Sequence, residues 1–247
     1  MDLGARRHLG RELRARHYDR AIVLPNSFKS AIVPFIARAR IRTGFTGEWR
    51  YGLLNDVRRL DKQKLPRTVD RFVALALDSN EALPEIPLPR LKADADKARA
   101  TLARWNRQPP VTPVLGLCPG AEYGPAKRWP AEYFAAVANA ALVEGREVWL
   151  FGSDKDKPET AAVQSLTQGR CLDLAGQTTL EQAIDLLSLT AAVVSNDSGL
   201  MHVAAALDRP VVALYGSSDP RHTPPMNARA TVLWLGLSCS PCFEREC

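Results

Sequence analysis

Across 247 residues no apolar run approaches the roughly 20 residues needed to cross a bilayer. The chain also does not open on the basic, apolar and small-residue succession of a secretory leader. A cytoplasmic protein is the expectation. No G-x-G-x-x-G fingerprint and no Walker lysine motif occurs, so the common dinucleotide and P-loop readings lack their signatures. Zinc-finger spacing, an aromatic RNP-like strand and a basic helix with heptads are likewise missing, and no nucleic-acid partner is expected. Aromatic residues make up only 7% of the chain, and no short repeat or low-complexity tract is evident.

What is present begins with charge. Residues 1–64 carry 15 Lys and Arg against 6 Asp and Glu, although the whole chain nets only +6. A basic first part suits an anionic lipid surface, a phosphorylated substrate or nucleic acid; an ordinary solvated surface explains it equally well. The five cysteines fall in two classes. Cys118 and Cys171 sit in apolar, strand-like runs and read as small core residues. Cys239, Cys242 and Cys247 form a C-x2-C-x4-C pattern, three thiolates with no fourth ligand in view, so reduced thiols are expected rather than a metal site.

The order of elements is alternating. Residues 5–18 read as a basic amphipathic helix. "RAIVLPN" follows as a buried strand, "SFKSAIVPFIARA" as a helix, "IRTGF" as a short strand with a turn at Gly44, and "TVDRFVALALDS" as a helix. After the proline-rich 82–91 and a helix over "DADKARATLARWN", "RQPP" (107–110) marks a domain boundary. Five strands then alternate with helices: "VTPVLGLCPG", "REVWLFGS", "CLDLAG", "AVVSND" and "PVVALYG". The fold class is therefore α/β, with a doubly wound second domain over 107–247 and a first domain over 1–106 that has two or three strands and begins on a helix.

Three loops of the second domain fall at the carboxyl ends of strands, where open α/β sheets bind ligands. They are "PGAEYGPAKRWP" (119–130), "FGSDKDKPE" (151–159) and the opening of "NDSGLMHVAAAL" (196–207). Asp197 or Ser198 could simply cap a helix. A lysine, glycine turns and a helix N-terminus on one sheet edge also suit a diphosphate. Trp129 reads as packing beside the first loop.

The pattern P-G-A-E-Y-G-P-A-K-R-W-P, followed by N-D-S-G-L-M-H-V-A-A-A-L and Y-G-S-S-D-P, resembles the ADP-heptose:lipopolysaccharide heptosyltransferases, glycosyltransferase family 9, nearest its heptosyltransferase II branch. "YDRAIVLPNSFKSA" (18–31) and "RTGFTGEWRYGLLND" (42–56) resemble the same family. The resemblance implies a GT-B fold, two Rossmann-like doubly wound domains: an acceptor domain (1–106) and a nucleotide-sugar domain (107–247). It implies inverting transfer of heptose from ADP-L-glycero-β-D-manno-heptose to the first inner-core heptose of lipopolysaccharide. No metal or cofactor is implied, and the partners are the ADP-heptose donor, the lipopolysaccharide acceptor and an anionic membrane at the inner face of the inner membrane. Another GT-B enzyme using a different nucleotide sugar, or a non-catalytic nucleotide-binding module, remain the alternatives.

By position, Lys127 matches the family's phosphate-contacting lysine. Asp197, Ser198 and Gly199 match its nucleotide-sugar loop, with the Ser198 and Gly199 amides toward the phosphates and His202 one turn behind. Gly152 and Ser153 flank the nucleotide in this reading, and Glu159 matches a ribose-contacting glutamate. Asn26, Ser27 and Lys29 are acceptor contacts, or else a strand-end turn with a solvated lysine. The family's first strand, with the glycine-aspartate loop that supplies its base, has no counterpart from Met1 onward. The first domain is thus expected to be incomplete at its N-terminus, the chain to be an internal fragment of low activity, and no residue is assigned as the general base.

Overall fold

A computed structural model describes residues 2–78 and 81–247. The chain divides into two units: one reaching to Ile86 and taking in Arg221–Thr223, the other comprising Pro87–Pro220 and Pro224–Cys247.

The first unit holds helix α1 (Leu3–Arg14), strand β1 (Arg20–Val23), helix α2 (Ile32–Ile36), strands β2 (Ile41–Phe45) and β3 (Asp56–Arg58), and helix α3 (Thr68–Ala76). Its three strands are parallel, in the order β1-β2-β3. Asp2 caps α1 by accepting from the Ala5 amide at 2.7 Å, and the two helices touch where Gly10 meets Ile36. Two local expectations change. Gly44 lies inside β2 rather than in a turn; a Cβ there would come within 2.8 Å of Leu54 Cδ1, so this glycine serves close packing. β1 is an edge strand rather than a buried one: Val23 is covered, but Ile22 and Leu24 are about two-fifths exposed.

The second unit begins earlier than the proline break suggests. Residues 87–106 belong to it because helix α4 (Ala95–Ala103) buries Ala98 and Leu102 completely in its core. Then come β4 (Val114–Cys118), α5 (Ala131–Val143), β5 (Glu147–Leu150), α6 (Lys157–Leu166), β6 (Leu172–Asp173), α7 (Leu180–Leu187), β7 (Ala192–Asn196), α8 (Gly199–Ala206) and β8 (Val211–Tyr215). A sixth strand, β9 (Ala230–Trp234), adds to the five expected from the sequence. The sheet is parallel, in the order β6-β5-β4-β7-β8-β9, the doubly wound arrangement.

Side-chain alternation shows why both faces are covered. In β4, Val114 and Cys118 point into one core with α4, α7 and α8, while Leu115 and Leu117 point into the other with α5 and α6. β5 alternates in the same way, with Trp149 and Phe151 opposed to Val148 and Leu150. Burying each such side chain contributes about 1.5–3 kcal/mol. The central strands therefore read as nearly continuous apolar runs, as parallel strands buried on two faces do.

Candidate functional site

In the second unit the chain leaves β4 toward β5 and β6 on one side, then returns to β7 on the other. The crevice at the carboxyl ends of β4 and β7 is thus the topological switch point, where doubly wound sheets bind ligands. Asn196 ends β7 fully buried. Its Nδ2 donates to the Pro119 carbonyl at 2.7 Å and its Oδ1 accepts from the Trp129 amide at 3.0 Å. One side chain thus ties both ends of the 119–130 loop to the strand. Trp129 packs on Tyr133 and Phe134, as a scaffold residue should.

The loop delivers Lys127 to Asp197. Lys127 Nζ lies 2.6 Å from Asp197 Oδ2, and the Ser218 hydroxyl donates to the same oxygen at 2.6 Å. Asp197 is almost fully covered and Lys127 largely so, with side-chain exposures of 6% and 18%. Next to them α8 begins. Its N-cap, Ser198, makes no capping bond with its side chain; its hydroxyl instead sits 3.2 Å from that of Ser195. The amides of the first turn are therefore not satisfied by a cap, and the helix N-terminus keeps its capacity for an anion. His202, one turn on, is exposed by surface area. Its pKa lies below the ordinary 6.5, chiefly because surrounding protein desolvates it; Asp197 pulls it up and Lys127 pushes it down.

A cavity of about 370 Å³ opens on this edge, within the range of small-molecule sites. Gly120, Gly152, Ser153, Ser198 and Gly199 line it, so four expected donor residues meet there. Two carboxylates line it: Glu122, which pairs with Lys155 at 2.7 Å, and Asp156, neither of which the sequence reading singled out. Asp156 Oδ2 accepts from both the amide and the hydroxyl of Ser153 at 2.8 Å. The two glycines make room for it: a Cβ on Gly120 would lie 2.1 Å from Asp156 Oδ1, and one on Gly152 2.8 Å from Asp156 Cβ. Glu159 does not line this cavity. Arg128 pairs with its Oε1, while its Oε2 is buried without a hydrogen-bond partner.

In the first unit, Asn26, Ser27 and Lys29 lie just beyond β1. Asn26 Oδ1 accepts from Arg50 at 3.2 Å, the Ser27 carbonyl accepts from the Ser30 hydroxyl at 2.6 Å, and the Lys29 carbonyl accepts from Arg6 at 3.2 Å. Arg50, only 2% exposed, also donates to the Pro25 and Phe45 carbonyls and so pins this turn to the end of β2. Burial lowers its pKa, with Glu48 opposing. Asn26 and Lys29 remain exposed.

Among the described residues no group of three or more His, Cys, Asp or Glu is placed to hold a metal. Cys118 and Cys171 are buried; Cys239, Cys242 and Cys247 are exposed free thiols around a cavity of about 140 Å³.

A model of glycosyltransferase family 9 (heptosyltransferase) matches residues 6–247. The chain belongs to glycosyltransferase family 9. Lipopolysaccharide heptosyltransferase 2 of Salmonella typhimurium is 49% identical over 244 residues, 95% of this chain and 70% of that protein. Lipooligosaccharide heptosyltransferase 2 of Haemophilus influenzae is 45% identical over 246 residues, 95% and 70% of the two chains. The structure of Escherichia coli ADP-heptose lipopolysaccharide heptosyltransferase II superposes with a TM-score of 0.87 at 48% identity, covering 96% of this chain and 75% of that one. This family 9 chain therefore has the GT-B fold, an α/β architecture of parallel sheets and alternating helices.

Proposed function

We infer that this chain is a heptosyltransferase of lipopolysaccharide core assembly, moving heptose from ADP-L-glycero-β-D-manno-heptose to the first inner-core heptose with inversion. The observation that carries the reading is the Lys127–Asp197 pair beside the uncapped N-terminus of α8, at the switch point of the second unit.

Inversion requires the acceptor hydroxyl to attack the anomeric carbon from the face opposite ADP. As that bond breaks, negative charge grows on the departing diphosphate, and stabilising it lowers the barrier. Lys127 supplies a cation and α8 supplies oriented amides for that charge. Ser218 helps hold Asp197, so Asp197 keeps a hydrogen-bond donor when Lys127 turns to phosphate. Asp156, beyond the second strand of the sheet, presents a carboxylate to the ribose hydroxyls, the role an acidic residue plays in related nucleotide folds. Gly152, Ser153, Ser198 and Gly199 then form the donor cavity, and His202 stands behind the phosphates. Asn26, Ser27 and Lys29 are proposed to meet the acceptor.

The basic first unit suits a phosphorylated acceptor embedded in an anionic membrane, and we place the enzyme peripherally at the inner face of the inner membrane. Arg7, Arg11 and Arg16 are exposed in and just beyond α1.

Titration of ADP, UDP and GDP by calorimetry, with transfer from ADP-heptose followed in parallel, tests the reading. ADP is expected to bind selectively, and Lys127→Ala to weaken it by about 1.5–3 kcal/mol, the scale of a charge-assisted hydrogen bond. Equal binding of all three nucleotides would point to a different donor. ADP binding without any transfer, also in a version carrying the family's first strand and glycine-aspartate loop, would reduce the protein to a nucleotide-binding module.

A further inference from the structure

The residues after β9 fold back over the Lys127 loop. Phe243 donates its amide to the Ser217 carbonyl at 2.8 Å and accepts on its own carbonyl from the Tyr123 hydroxyl at 2.6 Å. The Arg245 carbonyl accepts from the amide of Ala126, the residue before Lys127, at 3.0 Å. Gly124 allows this approach: a Cβ there would lie 2.5 Å from the Arg245 carbonyl oxygen. Backbone bonds thus fix Arg245 beside the loop and leave its side chain free to act.

That side chain lies over Tyr123. The Arg245 guanidinium is 5.3 Å from the ring centroid, and Lys127 Nζ is 5.2 Å from the same centroid. Lys127 has Asp197 as its counter-ion. Among the described residues the Arg245 guanidinium forms no ion pair, although Glu244 and Glu246 are its neighbours in the chain. Two cations on one ring gain from its π face and repel each other, so the arrangement is favourable chiefly when an anion lies between or beside them. A planar guanidinium presents paired N–H groups that match the oxygens of a phosphoryl group.

We propose that Arg245 is a second phosphate-binding cation of this site, presented beside Lys127 by the ring of Tyr123. The inference rests on the reading of the second unit as the nucleotide-sugar site and adds a residue to it. The phosphoryl group belongs either to the donor diphosphate or to a phosphorylated acceptor, and the test separates the two.

Binding of ADP and of inorganic pyrophosphate is measured by calorimetry for the unsubstituted chain, Arg245→Gln and Arg245→Lys, together with the KM for donor and acceptor. Arg245→Gln should weaken ADP and pyrophosphate roughly tenfold, and Arg245→Lys should recover part of the loss. Melting temperature should not move, because the backbone carbonyl and not the guanidinium ties the loop. Unchanged ADP affinity with a raised acceptor KM would assign the phosphate to the acceptor. If neither quantity moves, Arg245 is only a packing partner of Tyr123 and the proposal falls, while the nucleotide reading survives. If the unsubstituted chain binds no ADP, the nucleotide reading falls, and the pyrophosphate measurements alone decide for or against the cation pair.

Discussion

The Lys127–Asp197 pair sets two quantities against each other. Asp197 stabilises the folded chain by neutralising Lys127, yet it competes with any phosphate for the same ammonium. Asp197→Asn should therefore lower stability by about 2 kcal/mol, less than a fully buried pair would cost because Lys127 keeps some access to water. The same variant should bind ADP more tightly, and a fall in both quantities would contradict the competition. His202 adds a pH dependence. Its folded pKa lies below 6.5, so the stability owed to its neutral form is complete above pH 6.5 and declines as pH falls through the lowered value. A bound diphosphate favours the charged ring, which raises the pKa and makes ADP binding stronger as pH falls through that raised value. Titration of the His202 ring protons by NMR, with and without ADP, reads that shift directly. At the thiols, burial pushes Cys118 up to about 12, so it should resist alkylation in the folded protein while Cys239, Cys242 and Cys247 react; mass spectrometry of labelled peptides distinguishes them. The position of Lys127, Asp197, Ser198 and Gly199 at the sheet edge was legible because each sits in a glycine-containing loop directly after or before a strongly patterned element. Asp156 was not: nothing in "GSDKDKPE" ranks its acids, and only the packing against Gly120 and Gly152 selects one of them.

Among the elements, α1 and α2 meet through Gly10, whose absent side chain is the contact. Replacing Gly10 by alanine improves helix propensity by about 1 kcal/mol. The new Cβ would stand 2.8 Å from Ile36 Cβ, and overpacking of that kind costs about 1–3 kcal/mol. The steric effect wins, because the nearest atoms are Ile36 Cβ and the Val33 carbonyl oxygen, so Gly10→Ala should lower the melting temperature; a higher melting temperature would show that the helices simply move apart. The helices and strands from β4 to β8 were readable because two apolar periods, near 2 and near 3.6, alternate without interruption. β9 escaped notice because it follows a long irregular stretch and leaves Leu233 about half exposed at a sheet edge. α4 was misallotted because the Pro109-Pro110 break is a strong local signal. The burial of Ala98 and Leu102 against α7 is a tertiary one, which local sequence does not display.

For the molecule as a whole, the excess of positive charge over residues 1–64 bears on where it works. If the first unit meets an anionic surface, binding to vesicles containing phosphatidylglycerol should weaken as salt rises and fall further in an Arg7→Glu, Arg11→Glu variant. Sedimentation with vesicles checks this; affinity equal to that for neutral vesicles would leave the basic surface as ordinary solvation. The likeness to family 9 was visible in both parts of the sequence because its loop motifs are long. The local structure around Asn26 and Ser27 was less so, since their turn depends on Arg50, more than twenty positions away.

The bonds from Tyr123 and Ala126 to Phe243 and Arg245 join residues about 120 positions apart. During synthesis the ribosome releases the Lys127 loop long before it releases the segment that braces it. The proposed nucleotide site is accordingly finished late, after the sheet and its helices have had time to form. A nascent chain arrested before residue 243 should leave the loop open to protease, and extension past Arg245 should protect it.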